Sequence, residues 1–152
     1  MKVRLADTGD FEPVSELLEE LGRAEVTDQT REACRAIFHE HVVGGDAAHL
    51  VAEDAGEVVG FCSLHFRERL NFPTPEAWVP DLIVTQRARR RGAARALLEE
   101  AERRAQDRNC WQLALESAYP RTEAHSLYEA VGMDDVGKAF KKGLRQRSRS
   151  AR

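Results

Sequence analysis

The chain has 152 residues, of which 42% are hydrophobic and 32% are charged, with a formal net charge of -3 and a pI near 6.0. This length fits one globular domain with a proper core, and the slightly acidic balance argues against a protein that coats nucleic acid. Charged residues interrupt every hydrophobic run, which argues against a membrane span, and nothing at the start marks export. Three separated cysteines suggest neither a disulfide framework nor a metal site, so we expect a cytoplasmic protein with reduced thiols.

The first third of the chain predicts one strand followed by two helices. Lys2 to Ala6 alternates polar and apolar residues like a half-buried strand, and Asp7 to Asp10 offers turn and N-cap chemistry. A first helix ends at Gly22, and Thr27 can cap a second helix that runs toward Val43. The first helix has an apolar face and a solvated face: Val14, Leu17, Leu18 and Leu21 on one side, Glu16, Glu19 and Glu20 on the other.

The middle of the chain is rich in strand signals. His49 to Glu53 and Glu57 to Phe66 predict two strands joined by the tight turn Asp54-Ala55-Gly56. Arg67 to Glu76 contains two prolines and an asparagine and predicts a loop, after which Ala77 to Thr85 predicts another apolar strand.

A long amphipathic helix is expected from Gly92 to Asp107. Its apolar face is formed by small and aliphatic residues at helical spacing, and its outer face by two pairs spaced i,i+4. The apolar residues are Ala94, Leu97, Leu98, Ala101 and Ala105, and the pairs are Glu99 with Arg103 and Glu100 with Arg104.

The remaining elements complete a mixture of hairpins and strand-helix-strand units. Trp111 to Glu116 predicts a strand, Thr122 to Val131 a helix ended by Gly132, and Val136 to Leu144 one or two closing strands. The polar tail from Arg145 is expected to be disordered. This order of elements predicts an α/β domain in which one mixed sheet is flanked by helices.

The segment from Leu82 to Leu98 predicts an anion site, because a strand passes through a basic turn of small residues directly into a helix. The first N–H groups of a helix lack internal partners and carry the positive end of its dipole. Arginines at that end conflict with the dipole unless an anion offsets them, and a bound pyrophosphate would remove the conflict. A solvated helix start is the bland alternative, and a Walker-type loop would need a Gly-Lys-Ser or Gly-Lys-Thr end that this turn lacks.

Two segments resemble the motifs of the GNAT superfamily of N-acetyltransferases. Arg89, Gly92 and Ala94 match its acetyl-CoA signature, in which Arg or Gln is followed at fixed spacing by Gly and then by Gly or Ala. The stretch from Ala124 to Met133 is similar to the family's second motif, although Met133 stands where Phe is commoner. Arg121 stands where the family often has Asn, and an arginine there could reach a phosphate.

The resemblance implies a GNAT fold over residues 1–144, with a central mixed sheet of about six to seven strands and about four helices, followed by a basic polar tail at 145–152. It implies acetyl transfer from acetyl-CoA to a primary amine on a small molecule, as in the bacterial small-molecule type, and it allows a homodimer. Neither nucleic acid nor a membrane is expected as a partner. The residues implied in cofactor binding are Leu82, Ile83, Val84, Arg89, Arg90, Arg91, Gly92, Ala93, Ala94, Arg121 and Tyr128.

The resemblance also assigns chemical roles. Tyr128 matches the tyrosine that protonates the leaving thiolate in the family, with Tyr119 as a fallback, whereas an isolated reading would make Tyr128 a core aromatic. Asp81 is the first candidate for a general base and Glu116 the second, and either could instead bind substrate. No catalytic role is assigned to His65, because a single histidine in a strand is usually structural.

Two other classes of function stay open at this stage. One is a sensor or interaction module that binds acetyl-CoA without turning it over, which the missing Asn and the uncertain base permit. The other is nucleic-acid binding through the arginine run and the basic tail, which the acidic balance and the absence of a reading motif oppose.

Overall fold

The computed structural model describes residues 1–116 and 122–145, and it contains two compact units, Met1–Ser117 and Ala118–Arg152. Among these residues, seven strands and three α-helices lie in the first unit, and one α-helix lies in the second. The mixed α/β class predicted from the sequence is confirmed. The single domain over residues 1–144 stays a prediction, and the tail beyond residue 145 lies outside the described residues.

Most strands and helices follow the order expected from the sequence, with shifted boundaries. The strands are β1 (Lys2–Leu5), β2 (Leu50–Asp54), β3 (Glu57–Cys62), β4 (His65–Arg69), β5 (Phe72–Val79), β6 (Leu82–Val84) and β7 (Leu113–Leu115). The α-helices are α1 (Phe11–Glu20), α2 (Arg31–Gly44), α3 (Ala93–Asp107) and α4 (Thr122–Ala130). Short 3₁₀ turns at Thr8–Asp10 and Gln86–Ala88 precede α1 and α3.

The seven strands form two sheets rather than one ladder. The first sheet is antiparallel, in the order β1-β2-β3-β6. The second has the order β4-β5-β7, with β4 antiparallel and β7 parallel to β5. The predicted hairpin between β2 and β3 is confirmed, and positive φ at Ala55 (51°) and Gly56 (82°) matches a type I′ turn.

Two predicted strands are divided where the chain passes from one sheet to the other. The predicted strand Glu57 to Phe66 breaks after Cys62, and the predicted strand Ala77 to Thr85 breaks after Val79. Cys62 pairs with Leu82 in the first sheet, whereas His65 pairs with Trp78 in the second. Between these pairs, residues 63–64 of one segment lie opposite residues 79–81 of the other. The second segment therefore has one extra residue, and the hydrogen-bond ladder cannot continue from one sheet to the other.

The predicted loop from Arg67 to Glu76 is wrong, because this segment belongs to the β4–β5 hairpin. The loop was predicted because the segment contains two prolines. Pro75 cannot donate a hydrogen bond, but its carbonyl accepts one from the Trp111 amide at 3.1 Å. A register shift between Arg67 and Arg69 adjusts the other side of the hairpin.

Two further boundaries also differ from expectation. The second helix begins at Arg31 rather than after Thr27, because the Thr27 carbonyl accepts a turn bond from the Thr30 amide at 3.1 Å. The closing strands expected over Val136 to Leu144 are absent from the described residues, where that stretch has no strand partner. The apolar residues there are not buried; Phe140, for example, is 90% exposed.

Helix α1 ends as its Gly22 predicts. The Gly22 amide donates to Glu19 and the Arg23 amide to Leu18, both at 2.9 Å, while Gly22 takes a φ of 99°. This is the hydrogen-bond pattern of a Schellman cap. It turns the chain sharply and holds Arg23 beside the end of the helix.

Helices cover both faces of the first sheet. Helices α1 and α2 pack on one face, where Val14 and Leu17 meet Phe61 and Ile83. Helix α3 packs on the other face through an apolar stripe that confirms the sequence prediction: Leu97, Ala101 and Ala105 are buried with Leu50 and Val59, and Ala93, Leu98 and Ala94 are also at least partly buried. The outer pairs are partly corrected: Arg104 does bond to Glu100, but Glu99 bonds to Arg95 and Arg103 bonds to Glu100 and Asp107.

Leu97 should be the main hydrophobic anchor of α3. A change to Ala should lower the free energy of unfolding by about 2 to 5 kcal/mol, because its side chain is fully buried and leaves a cavity. Urea denaturation followed by circular dichroism measures this loss. The matched control is Leu70→Ala, since Leu70 is fully exposed and its change should cost less than about 0.5 kcal/mol. Equal losses in the two variants would contradict the packing described for α3.

Candidate active site

An open strand edge lies where the two sheets diverge. The parallel pairing of β5 with β7 ends at Val79 and Leu115, after which β5 leads into β6, which pairs with β3 among the described residues. Asp81 and Thr85 direct backbone bonds toward β3, so strand alternation turns the backbone groups of Leu82 and Val84 to the opposite edge. That edge offers hydrogen-bonding groups to an extended ligand.

The basic turn predicted from the sequence follows β6 after the 3₁₀ turn Gln86–Ala88. We call Arg89–Ala94 the anion turn. Arg90 and Gly92 have left-handed φ values of 63° and 82°, and Ala96 donates the first helical bond of α3 to the Gly92 carbonyl at 3.0 Å. By helix geometry the preceding amides of Ala93 and Ala94 have no intrahelical acceptor. A Cβ built on Gly92 meets no atom within 4 Å, so the turn borders open space.

Carboxylates from two other elements hold the arginines of the anion turn. Arg91 Nη1 lies 2.8 Å from Asp54 Oδ2, and Arg89 Nη2 lies 3.8 Å from Glu20 Oε2. Arg89 also donates through Nε to the Val84 carbonyl at 3.0 Å. The charge conflict expected at this helix end is therefore partly offset within the protein, while the guanidinium groups stay about half exposed.

Glu20 belongs to this region although sequence reasoning placed it on the solvated face of a helix. Besides Arg89, its carboxylate accepts a hydrogen bond from Thr85 Oγ1 at 2.8 Å. The only sequence signal was its place in the last turn of α1. Helical spacing alone cannot show that this turn lies over the end of β6.

Asp81 is bound through both carboxylate oxygens. Oδ1 accepts from Arg23 Nε at 2.8 Å and Oδ2 accepts from Ser63 Oγ at 2.9 Å. Arg23 also donates to the Pro80 carbonyl at 2.8 Å, and the Asp81 amide donates to Ser63 Oγ at 2.9 Å. The side chain is 18% exposed, so these contacts fix the crossing between β5 and β6.

The second base candidate, Glu116, lies close to the same edge. It follows Leu115 at the carboxyl end of β7, just as Pro80 and Asp81 follow Val79 at the carboxyl end of β5. Its side chain is exposed. The fold thus brings both sequence candidates to the end where the parallel pair diverges.

Tyr128 lies in α4 of the second unit. The helix ends as predicted, since Gly132 has a φ of 87° and the Met133 amide donates to the Tyr128 carbonyl at 2.9 Å. The rings of Tyr128 and His125 have centroids 6.5 Å apart. Tyr119 and Arg121 lie outside the described residues, and the roles named for them stay predictions.

A polar strip follows the sheet face covered by α1 and α2. Phe61 and Ile83 pack beneath these helices. Ser63 bonds to Asp81, and Asp81 interacts electrostatically with His65. The centroid of the His65 ring is 4.9 Å from that of His49, which lies 5.9 Å from that of the Phe61 ring. We call Ser63, His65 and Asp81 the polar strip. The sequence treated His65 as a lone histidine, but the fold places it beside two others.

Three histidines from separate parts of the chain form a histidine cluster: His41 of α2, His49 before β2 and His65 of β4. Their ring centroids are 4.9 to 5.6 Å apart. His49 Nδ1 lies 3.0 Å from the Leu64 amide, which donates to it, so the proton of neutral His49 must be on Nε2. That Nε2–H donates to His41 Nδ1 at 2.9 Å. Burial, with His65 and His41 nearby, lowers the pKa of His49 to about 3.

The cluster is poorly suited to a metal ion despite its spacing. Its ligand atoms lie within 4.8 Å of one another, a distance that a metal could bridge after small adjustments. Metal binding, however, needs a free lone pair on His49 Nε2, which carries the proton, while Nδ1 already accepts from Leu64. The proton positions therefore oppose a three-histidine metal centre.

Comparison with protein families and solved structures gives a consistent picture. Residues 12–133 match the family described as the acetyltransferase (GNAT) family. No curated protein sequence matches the chain. No helix among the described residues is long and apolar enough to cross a membrane.

The solved structures that resemble the chain share its fold at low sequence identity. Glucosamine-6-phosphate N-acetyltransferase from Arabidopsis thaliana is 22% identical, with a TM-score of 0.81, 95% of this chain covered and 98% of that one. A transcriptional regulator from Bacillus halodurans C-125 is 22% identical, with a TM-score of 0.85 and coverage of 94% and 99%. An aminoglycoside N-acetyltransferase in complex with CoA is 18% identical, with a TM-score of 0.75 and coverage of 95% and 100%.

The neutral state of His49 should make stability depend on pH. Its pKa of about 3 lies below the ordinary 6.5, so between these values the unfolded chain takes up a proton that the folded chain does not. The stabilising contribution is complete above pH 6.5 and falls as the pH drops. From pH 6.5 to 5, wild type should lose about 2 kcal/mol more than His49→Gln, at about 1.4 kcal/mol per pH unit.

Urea denaturation at several pH values measures this difference, and the control is His39→Gln, in which the exposed histidine of α2 is replaced. The control should keep the wild-type slope. Equal slopes for wild type and His49→Gln would show that folding does not keep His49 neutral.

Proposed function

Because the chain belongs to the acetyltransferase (GNAT) family, we propose that it is an N-acetyltransferase that moves an acetyl group from acetyl-CoA to a primary amine on a small molecule. The observation that carries this proposal is the anion turn. It combines left-handed backbone at Arg90 and Gly92, helix amides without intrahelical acceptors, and three arginines at the start of α3.

In this proposal the anion turn binds the pyrophosphate of the cofactor. The amides of Ala93 and Ala94 would donate to phosphate oxygens, while Arg89, Arg90 and Arg91 supply positive charge. Arg89 and Arg91 would exchange the carboxylates of Glu20 and Asp54 for phosphate oxygens. Arg121 is a further cofactor contact in this proposal, on the ground of the family resemblance.

The open edge of β6 would receive the pantetheine arm. Leu82 and Val84 present backbone groups there, and an extended amide-containing chain can add to such an edge by hydrogen bonds. Ile83 directs its side chain into the core beneath α1 and supports the strand from behind. An N–H at this edge could also polarise the thioester carbonyl as the amine attacks.

Acetyl transfer requires two proton movements besides bond exchange. The neutral amine nitrogen attacks the thioester carbonyl carbon, the carbon–sulfur bond breaks, and its electron pair stays on sulfur. We assign Tyr128 as the general acid that protonates this sulfur, on the ground of its position in the second GNAT motif. The tyrosine then recovers a proton from the amide nitrogen that has formed.

Asp81 and Glu116 stay candidates for the general base. To act as a base, Asp81 must release Arg23 or Ser63, which now occupy its two oxygens. Glu116 needs no such release, because its side chain is exposed at the end of β7. The contacts of Asp81 equally suit a residue that positions the β5–β6 crossing.

The proposal of a small amine as the acceptor draws on the names of two similar structures, which specify acetylation of an amino sugar phosphate and of aminoglycosides. Another similar structure is named as a ribosomal-protein-alanine N-acetyltransferase. At 22% and 18% identity, the first two share the fold with this chain and identify no individual compound. We therefore leave the acceptor as a small molecule with a primary amine.

Calorimetric titration with acetyl-CoA tests the anion turn. Wild type should bind, and Arg89→Gln should weaken binding by about tenfold, because one charge-assisted contact to phosphate contributes about 1.5 kcal/mol. Arg95→Gln is the matched control, since Arg95 lies just after the anion turn, in the first turn of α3, and its side chain pairs with Glu99. Gly92→Glu, which puts a carboxylate into the open space, should abolish binding. Absence of binding to wild type would refute the proposed function.

Tyr128→Phe tests the general acid. The variant should keep its calorimetric affinity for acetyl-CoA while kcat falls by about 100-fold, the scale of one proton-transfer role. Release of the CoA thiol over a panel of primary amines measures the rate. An unchanged rate in Tyr128→Phe would remove the acid role, whereas binding without turnover on any amine would favour the sensor alternative.

A further inference from the structure

The histidine cluster contains a proton acceptor that the proposed function lacks. An imidazole in its neutral form has one basic lone pair. The lone pair of His49 Nδ1 accepts from the Leu64 amide, and that of His41 Nδ1 accepts from His49 Nε2–H. Among the described residues, no hydrogen bond occupies the lone pair of His65. The acceptor nitrogens of His49 and His41 are therefore occupied, and the open basic position of the cluster is on His65.

His65 also lies on the face where an acceptor can approach the open edge. It belongs to the polar strip with Ser63 and Asp81, and Asp81 directly precedes Leu82, whose backbone faces that edge. The His65 ring is half-buried, with its centroid 5.4 Å from that of Trp78 on the neighbouring strand. Packing of this kind restricts the ring and leaves part of it open to solvent.

We infer that His65 is the general base of this protein, and that His41 and His49 position it. The inference rests on the proposed acetyl transfer. The acceptor ammonium loses two protons in becoming a secondary amide: one replaces the Tyr128 proton given to sulfur, and the other binds the free lone pair of His65. His65 then releases that proton to solvent. Atoms and charge balance as ammonium and thioester going to amide, thiol and one proton.

The charges around His65 suit this role. Burial lowers the pKa of His65, with contributions from His41 and Arg67, while Asp81 acts in the opposite direction. His49 faces it from the segment before β2 and is itself held neutral. The imidazole is therefore in its basic form at neutral pH. Asp81 would keep its hydrogen bonds to Arg23 and Ser63 and thereby position the open edge of β6.

The test compares His65→Gln with His39→Gln, which replaces an exposed histidine of α2 outside the cluster. For wild type, kcat/KM should fall as the pH drops through a pKa below 6.5. His65→Gln should lose this acid limb and about 100-fold in kcat at pH 7.5, the scale of one general base. Its acetyl-CoA affinity and melting temperature should stay close to wild type, and His39→Gln should match wild type throughout.

Rescue separates proton transfer from packing. His65→Ala leaves a space beside Trp78, and added imidazole should restore at least tenfold of the lost rate without changing acetyl-CoA affinity. This inference alone would be overturned if wild type acetylates amines and His65→Gln keeps both the rate and the fall of kcat/KM at low pH. Loss of the limb in Asp81→Asn or Glu116→Gln, with the limb kept in His65→Gln, would give the role to that carboxylate. A wild type that acetylates no amine would overturn the proposed function together with this inference.

Discussion

The arrangement of the candidate site depends on how the chain crosses from one sheet to the other at Pro80 and Asp81. Ser63 fixes this crossing, because its hydroxyl bonds to both the amide and the carboxylate of Asp81 and its own amide donates to the Asp81 carbonyl. After β5 separates from β7, the chain continues as β6, which pairs with β3 and has no strand on its other edge among the described residues. Buried backbone without partners is costly, so such an edge persists where a ligand or solvent can reach it.

The crossing also determines where the positive charge lies. Strand β6 is short and its end leads through a 3₁₀ turn into α3, so the anion turn follows the open edge by a few residues. A cofactor with an extended amide arm and a pyrophosphate needs these two features in this order. In the proposed function, two different physical effects, strand addition and the helix dipole, would act on opposite ends of one ligand.

Local sequence patterns were sufficient for the elements that bury one face or use one dedicated residue. The apolar spacing of α3, the cap at Gly22 and the Asp54-Ala55-Gly56 turn were all predictable, because each depends on neighbours along the chain. The β4–β5 hairpin was missed because Pro75 acts as an acceptor toward a residue far along the sequence. Val136 to Leu144 contains strand-forming residues, but a local sequence pattern cannot supply a strand partner.

The same limit applied to the site. The backbone geometry of the anion turn was predictable, since strand, arginines, glycine and helix are contiguous, while its binding of an anion stays a prediction. Glu20 and the histidine cluster were not, because His41, His49 and His65 come from three elements and meet only in the folded chain. A histidine in isolation has no distinguishing pattern. Its meaning depends on which lone pairs its neighbours occupy, and that is a property of three-dimensional contacts.

The capped end of α1 connects the residues on either side of β6. Within four residues, Glu20 bonds to Thr85 just past one end of the strand and Arg23 bonds to Asp81 just before the other. The Schellman cap makes this connection stiff. A phosphate that draws Arg89 away from Glu20 would therefore weaken the contact of α1 with Thr85. An acceptor that disturbs Arg23 would weaken its contact with Asp81. Binding of the cofactor and binding of the acceptor would then change each other's affinity by the same factor. This coupling needs no direct contact between the phosphate-binding residues and the amine-binding residues.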